Sequence, residues 1–252
     1  MKTLIMLCTY NERDNVRELI PQLLSEVPQA SIVVIDDNSP DGTGQTVLDL
    51  QQHYPAVHLL HRPAKLGLGS ATLAGLHYAI EHHFDCVVNM DADFSHPPAC
   101  VPRLLAALQT CDVAIASRYV PGGGVQGWSL RRKLMSWSIN FWARLMLGLR
   151  TRDNSGSFRC YRVSLLQRID WTRIRATGYA IQEEILFRCR QVEGKMQEIP
   201  FFFEDRRYGT TKINLRECWT AVWVIFRLGL EKHPAAQDPA TSSRQHLSLI
   251  HI

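Results

Sequence analysis

The sequence predicts an α/β protein built on a mostly parallel central sheet with helices on both faces. Three observations lead there: short apolar runs that are continuous rather than alternating, helix-length patterns between them, and polar or glycine-rich residues just after each run. Strands buried on both faces read as unbroken Val, Ile and Leu. Parallel neighbours need a crossover connection, usually a helix. In such sheets ligands gather at the carboxyl ends of the strands.

The elements follow in order. "TLIMLC" predicts a first strand and Arg13 to Val27 a helix; "SIVVID" is followed by a helix from Gly42 to His53, and "VHLLH" by one from Leu68 to His82. "FDCVVNMD" precedes a helix from Ala99 to Leu108, and "DVAIAS" precedes a glycine-rich loop. The loops at the carboxyl ends read "TYNERDN", "DDNSPDGTG", "RPAKLGLG", "DADFSHPP" and "SRYVPGGG". Each has an ordinary structural use. Thr9 and Glu12 have capping-box spacing; Asp41 suits a turn; Asp93 or Ser95 could cap a helix begun by Pro97 and Pro98. Five such loops on one rim, mixing acidic, basic and glycine residues, go beyond those separate uses.

Within "DADFSHPP", Asp91 and Asp93 flank a single alanine. Residues i and i+2 of an extended segment share a side, so the two carboxylates would converge and repel. A divalent cation relieves that repulsion, and hard ions such as magnesium or manganese favour oxygen ligands.

Further along, Leu130, Leu134, Trp137, Phe141 and Leu145 form a helical apolar stripe between residues 128 and 149. Arg132, Ser136 and Asn140 form a second line at steps of four. The expectation is that the apolar stripe packs while the polar line offers hydrogen-bond donors to an anion; an ordinary solvated face is the alternative. "EDRRYGTTK" then places Arg206, Arg207 and Lys212 in a glycine-containing loop, a cationic flap able to close over a diphosphate.

Composition narrows the classes. With 46% hydrophobic and 21% charged residues the chain has enough apolar content for a core and does not resemble a disordered protein. A net charge of +4 suits phosphate-bearing substrates or an anionic membrane surface. Seven cysteines without a CxxC pair fit buried thiols in a reducing compartment. The N-terminal apolar run meets Asn11, Glu12 and Arg13 too early for a signal peptide. "CWTAVWVIFRLGL", from Cys218 to Leu230, is too short to span a bilayer and suits a core helix or one in the membrane interface. Residues 1–231 are expected to form one domain with interfacial helices near 128–149 and 214–230, and 232–252 a disordered tail.

With these segments in order, "TYNERDN", "VIDDNSPDGTG", "RPAKLGLGSA", "MDADFSHPP", "ASRYVPGGGVQGW", "RRKLMSWSIN", "DNSGSFRCYR", "GYAIQEEI" and "FEDRRYGTTKI", the chain resembles the family-2 glycosyltransferases. Within them it is similar to the polyprenol (dolichol) phosphate mannosyltransferases. The resemblance implies a GT-A (Rossmann-like) fold, a nucleotide-sugar donor with GDP-mannose favoured, a polyprenyl or dolichyl phosphate acceptor, and Mg2+ or Mn2+. It implies that Tyr10, Glu12, Ile35 and Asp37 hold the base and ribose, and that Asp91, Ala92 and Asp93 line the diphosphate and metal. Arg118 would lie between donor and acceptor phosphates, Arg206 and Lys212 would clamp the donor, and Arg132 and Ser136 would bind the lipid phosphate. Cys8 departs from the proline common among relatives. The appended transmembrane helices of some relatives are lacking, so the resemblance is to the compact form, peripheral on the cytoplasmic face of a membrane alone or with small membrane subunits. No nucleic-acid partner is expected.

The reaction so implied is an inverting, in-line transfer that makes a lipid-linked sugar donor for glycosylation. A phosphate monoester has its second pKa near 6, so the nucleophile needs no strong base. Three other readings remain: the same fold using a UDP-sugar such as UDP-glucose, and, further off, a nicotinamide-dependent oxidoreductase and an inactive regulatory subunit. An oxidoreductase should carry GxGxxG after the first strand, and "CTYNERDN" has no glycine.

Overall fold

The computed structural model describes residues 1–204 and 215–231. The chain runs β1 (Thr3–Thr9), α1 (Arg13–Glu26), β2 (Ser31–Asp36), α2 (Thr43–His53), β3 (Val57–His61), α3 (Leu68–Glu81), β4 (Cys86–Asp91), α4 (Val101–Ala107) and β5 (Val113–Ser117). It continues with β6 (Gly124–Val125), α5 (Leu130–Leu147), β7 (Arg159–Arg162), α6 (Val163–Leu166), α7 (Ile181–Gln191), β8 (Met196–Pro200), β9 (Phe202–Phe203) and α8 (Leu215–Gly229). The five strands and four helices expected in the first half are all present. The expected tail, 232–252, lies outside the described residues.

Seven strands form one sheet in the order β3-β2-β1-β4-β7-β5-β8, with β7 antiparallel to both neighbours and every other pairing parallel. The chain steps outward from β1 to β3, then returns to the other side of β1 as β4. That reversal is where an open α/β sheet parts to admit a ligand. In register, Cys8 of β1 stands beside Ile35 on one side and Asp91 on the other, so the loops after β2 and β4 flank the end of β1.

Alternation along each strand feeds two cores. Leu4, Met6, Val33, Ile35 and Val87 face α3, α5, α7 and α8; Ile5, Leu7, Ile32, Val34 and Val88 face α1, α2 and α4. Each fully buried Leu, Ile or Val contributes about 1.5–3 kcal/mol, which fixes the register of the central strands. Among the described residues, Cys86, Cys111, Cys160 and Cys189 are buried.

The apolar stripe of α5 overturns the expectation that it packs. Leu130, Leu134, Trp137, Phe141 and Leu145 are each more than half exposed, whereas Asn140, Ala143 and Leu147 are buried. The cause is that the polar line finds partners inside the protein: Asn140 bonds the loop at Asn154 and Ser155, Ser136 accepts from Tyr119, and Arg132 lies over Trp128, which turns the stripe outward. Beside it lies α8, with Trp219, Trp223 and Phe226 exposed and Leu230 exposed just past its end. Trp142 Nε1 donates to the Val222 carbonyl (3.3 Å), and a Cβ on Gly229 would lie 2.9 Å from the Met146 carbonyl oxygen, so the two helices touch.

After β5 the chain folds back on itself at Gly123, where an added Cβ would fall 2.4 Å from the Ser117 carbonyl oxygen. That oxygen already accepts the Phe201 amide at 3.1 Å. Gly123→Ala should therefore lower stability by about 1–3 kcal/mol in urea unfolding; an unchanged midpoint would mean the turn shifts freely.

Candidate functional site

At the ends of β1 and β2 the structure brings together Tyr10, Glu12, Ile35 and Asp37. The Lys65 ammonium sits 3.7 Å from the Tyr10 ring centroid. Glu12 Oε2 accepts from Asn15 Nδ2 (2.6 Å), and its backbone amide donates to Thr43 Oγ1 (3.0 Å). The capping box does not form: Thr9 donates its hydroxyl to Asp36 Oδ1 (3.0 Å), and no side chain caps α1. Ile35 is fully buried, main chain included, between β1 and β3, and its carbonyl accepts from Thr9 Oγ1 (3.4 Å). Asp37, also buried, pairs with Arg62 (2.6 Å) and accepts the Gly67 amide (2.8 Å), tying the glycine loop before α3 to β2. Asp41 does serve a turn, joining two helix starts: its carboxylate accepts the amides of Arg13 (3.1 Å) and Thr43 (2.9 Å). Partial burial opposes its charge, yet bonds from Thr43 and Arg13 hold its pKa below the usual range.

Asp91 ends β4. Its Oδ1 accepts from Ser157 Oγ (2.8 Å), and its amide donates to His96 Nδ1 (2.9 Å). That bond leaves the His96 proton on Nε2, 4.0 Å from Asp91 Oδ2. Burial lowers the His96 pKa against the pull of Asp91 and Asp93, so the ring is neutral. It stacks on Phe158 with centroids 4.7 Å apart. Past Ala92 the chain turns rather than continuing extended: Phe94 takes φ 65°, and buried Asp93 accepts both the Ser95 amide (3.1 Å) and its hydroxyl (2.5 Å). Neither Asp93 nor Ser95 caps the helix begun at Pro98. Among the described residues no three His, Cys, Asp or Glu side chains could hold a metal by themselves. Asp91 and Asp93 offer carboxylate oxygens of the kind a hard divalent cation prefers, too few to hold one without further ligands.

Arg118, just past β5, is gripped by Asp153: Nε donates to Oδ2 (2.7 Å), Nη2 to Oδ1 (2.6 Å), and the Arg118 amide to Oδ2 (2.9 Å). Burial works against both charges, but the pair wins: the guanidinium is held charged, and Asp153 stays below the usual carboxylate range. The Trp128 ring carries both arginines, with the Arg118 guanidinium carbon 5.4 Å and that of Arg132 4.0 Å from its centroid. Ser136 accepts from the Tyr119 hydroxyl (2.7 Å). The structure thus assembles Arg118, Arg132 and Ser136 around Trp128 and Tyr119. Arg206 and Lys212 lie outside the described residues.

The sequence pattern assigns no role to Asp153, Ser155, Ser157 or Tyr119, and it places Asn140 among the donors to an anion, whereas the structure turns that side chain onto the loop 153–157. The polar run "DNSGS" was the available signal; the partners of its residues lie 14 to 66 positions away. Behind this loop, Arg159 donates to the carbonyls of Gln182 (2.6 Å) and Asn154 (2.5 Å), and Glu183 is buried beside it. Burial, only partly offset by its own backbone and Arg159, pushes the Glu183 pKa up to about 7.

Fold and site together define a glycosyltransferase of the GT-A type. The chain matches the model of "Glycosyl transferase family 2" over residues 4–170 and belongs to that family. It is 39% identical over 230 residues to the undecaprenyl-phosphate mannosyltransferase of Micrococcus luteus, covering 91% of this chain and 95% of that one. It is 38% identical over 231 residues to the polyprenol monophosphomannose synthase of Mycolicibacterium smegmatis, covering 89% and 87%. Among solved structures it resembles glucosyl-3-phosphoglycerate synthase from Mycobacterium tuberculosis in complex with Mn2+ and uridine-diphosphate-glucose, with a TM-score of 0.64 at 17% identity over 92% of this chain and 80% of that one. At that identity the likeness speaks for the fold.

Two titrations test the electrostatics. Asp153→Asn strands the buried Arg118 charge and should cost about 3–5 kcal/mol at pH 7. Because the folded pKa of Asp153 is depressed, its stabilisation is present above the unfolded value near 4 and fades as pH falls through the folded one. Chemical unfolding of both proteins should therefore converge in acid. Glu183 has the opposite sign: its raised pKa removes stability as pH climbs from about 4.5 to 7. Glu183→Gln should match wild type at pH 4 and exceed it by about 3 kcal/mol at pH 8; equal stability at both pH values would show that Glu183 is solvated.

Proposed function

We propose that this glycosyltransferase moves mannose from GDP-mannose to the phosphate of a polyprenyl or dolichyl phosphate, giving polyprenyl phosphate mannose with inversion. The observation that carries the reading is the pair of arginines on one indole: Arg118 and Arg132 offer two cationic sites for two phosphates beside the Asp91 and Asp93 carboxylates. The names of the two relatives near 39% identity support lipid phosphate as acceptor and mannose as the sugar.

In this reading Tyr10, Glu12, Ile35 and Asp37 seat the base and ribose, and Asp91, Ala92 and Asp93 line the diphosphate. Magnesium or manganese held by Asp91 and Asp93 would offset the charge that develops on the leaving nucleotide. Arg118 faces both phosphates, and Arg206 with Lys212 closes over the donor. A cation about 4 Å from a unit charge contributes about 4 kcal/mol at an effective dielectric of 20, so these charges supply much of the stabilisation the departing diphosphate needs. Arg132 and Ser136 hold the acceptor phosphate. Its oxygen is already anionic at neutral pH, so neutral His96 has no proton to remove and serves to fix Asp91. A single attack from the face opposite the nucleotide inverts the anomeric carbon.

The acceptor helix also suggests where the reaction occurs. Among the described residues no helix is long and apolar enough to cross a membrane. The outward apolar faces of α5 and α8 meet along a groove lined by Trp137, Ile139, Phe141, Trp142 and Val222. Aromatic and aliphatic side chains on adjacent helices suit burial in the headgroup region. The protein is read as a peripheral enzyme, with α5 and α8 lying in the cytoplasmic leaflet from which the lipid phosphate is presented.

The test is a donor panel with radiolabelled sugars and polyprenyl phosphate in detergent, scored by label in the lipid phase with and without chelator. GDP-mannose should label the lipid and chelator should abolish it; label from UDP-glucose alone would refute the donor assignment. Asp93→Asn keeps an oxygen for the Ser95 turn, so thermal stability should stay close to wild type while transfer falls at least about a hundredfold. Trp219→Ser with Trp223→Ser should reduce co-flotation with anionic vesicles yet leave transfer in detergent within about threefold.

A further inference from the structure

Asn140 lies one turn beyond Ser136 on α5 and is 3% exposed. Its Nδ2 donates to the Ser136 carbonyl (2.8 Å) and to Ser155 Oγ (3.0 Å), while its Oδ1 accepts the amides of Asn154 (2.6 Å) and Ser155 (3.0 Å). Both amide hydrogens and the carbonyl oxygen of this one side chain are engaged. An asparagine in a helix interior is disfavoured relative to alanine, and burying an amide costs more unless it is fully bonded, so the position answers to something other than helix formation. The loop it grips holds the other reactants' side of the site. Asp153 fixes Arg118, Ser157 donates to Asp91, and Ser155 Oγ accepts from Arg118 Nη2 (3.3 Å) as well as from Asn140. Ser155 is thus where the guanidinium facing both phosphates meets the helix that carries Arg132 and Ser136.

We propose that Asn140 and Ser155 are positioning residues that set the register of the acceptor helix against Arg118 and Asp91, and so the alignment of the attacking phosphate with the anomeric carbon. This rests on the reading that α5 holds the acceptor phosphate. Neither residue touches substrate; they act through Arg118, Arg132 and Ser136. The alternative role is a plain staple, contributing to folding and nothing to transfer. The two differ in what they do to kcat, because a displacement of about 1 Å between reacting groups can cost up to about a hundredfold in rate while leaving each substrate bound.

The experiment compares Asn140→Ala, Ser155→Ala and Arg132→Ala in two-substrate kinetics, with GDP-mannose affinity by calorimetry and thermal unfolding on the same preparations. Alignment predicts that Asn140→Ala loses at least about tenfold in kcat and Ser155→Ala about threefold or more, with donor affinity and acceptor KM within about twofold of wild type. Unchanged kcat in both variants, or a loss that merely follows the folded fraction, overturns the proposal in favour of a staple. If Asn140→Ala fails to fold, Ser155→Ala decides alone, since it removes a single hydroxyl from a half-buried loop position. Arg132→Ala separates the two readings: it should raise acceptor KM, and an unchanged KM there would remove the acceptor assignment itself whatever Asn140 does.

Discussion

A guanidinium held charged inside the protein is the constraint on which the rest of the site depends. Arg118 and Asp153 are almost wholly removed from water, and taking each ion out of solvent costs several kcal/mol. Two side-chain bonds and a backbone amide to the same carboxylate offset that cost. Such a pair stabilises a fold poorly compared with apolar residues of the same size. Its value is a cation whose direction is set before any substrate arrives, beside the end of β4 where two carboxylates stand. Preorganised charge of this kind needs little rearrangement as the reaction proceeds.

The loop 153–157 extends that constraint across the sheet. The side chains of Asp153, Ser155 and Ser157 reach Arg118, the Asn140 amide and Asp91, so the end of β4, the buried arginine and α5 share one support. The same loop explains why α5 turns its apolar stripe outward. Three hydrogen bonds between the Asn140 side chain and Asn154 and Ser155 hold the polar line inward. The exposed stripe then adjoins the exposed aromatic residues of α8, giving a contiguous apolar surface of the kind that marks an interaction site.

Local pattern made much of this legible. The strands β1 to β5 and the helices between them follow from continuous apolar runs and their spacing, and the polar loops at the strand ends mark the rim where Asp91, Asp37 and Arg118 now stand. What local pattern could not convey is pairing at a distance. β7 reads "RCYR", with arginines at both ends, and becomes a central strand because Arg159 finds carbonyls on Gln182 and Asn154. Asp153 looks like any surface acid until Arg118, 35 positions earlier, is placed against it. The stripe on α5 illustrates the same limit: periodicity detects two faces but not which one meets water, and that choice was made by a loop the helix pattern does not contain. The i, i+2 spacing of Asp91 and Asp93 suits an extended segment, whereas Phe94 at φ 65° closes a turn.

The most direct measurement is the position of the acceptor phosphate in an experimental complex with a non-reactive GDP-mannose analogue, a divalent cation and a short-chain polyprenyl phosphate. The account predicts that phosphate within hydrogen-bonding reach of Arg132, Ser136 and Arg118, with Arg118 still paired to Asp153 and facing the donor diphosphate. A phosphate bound away from α5, or an Arg118 that leaves Asp153 and meets neither phosphate, would contradict it.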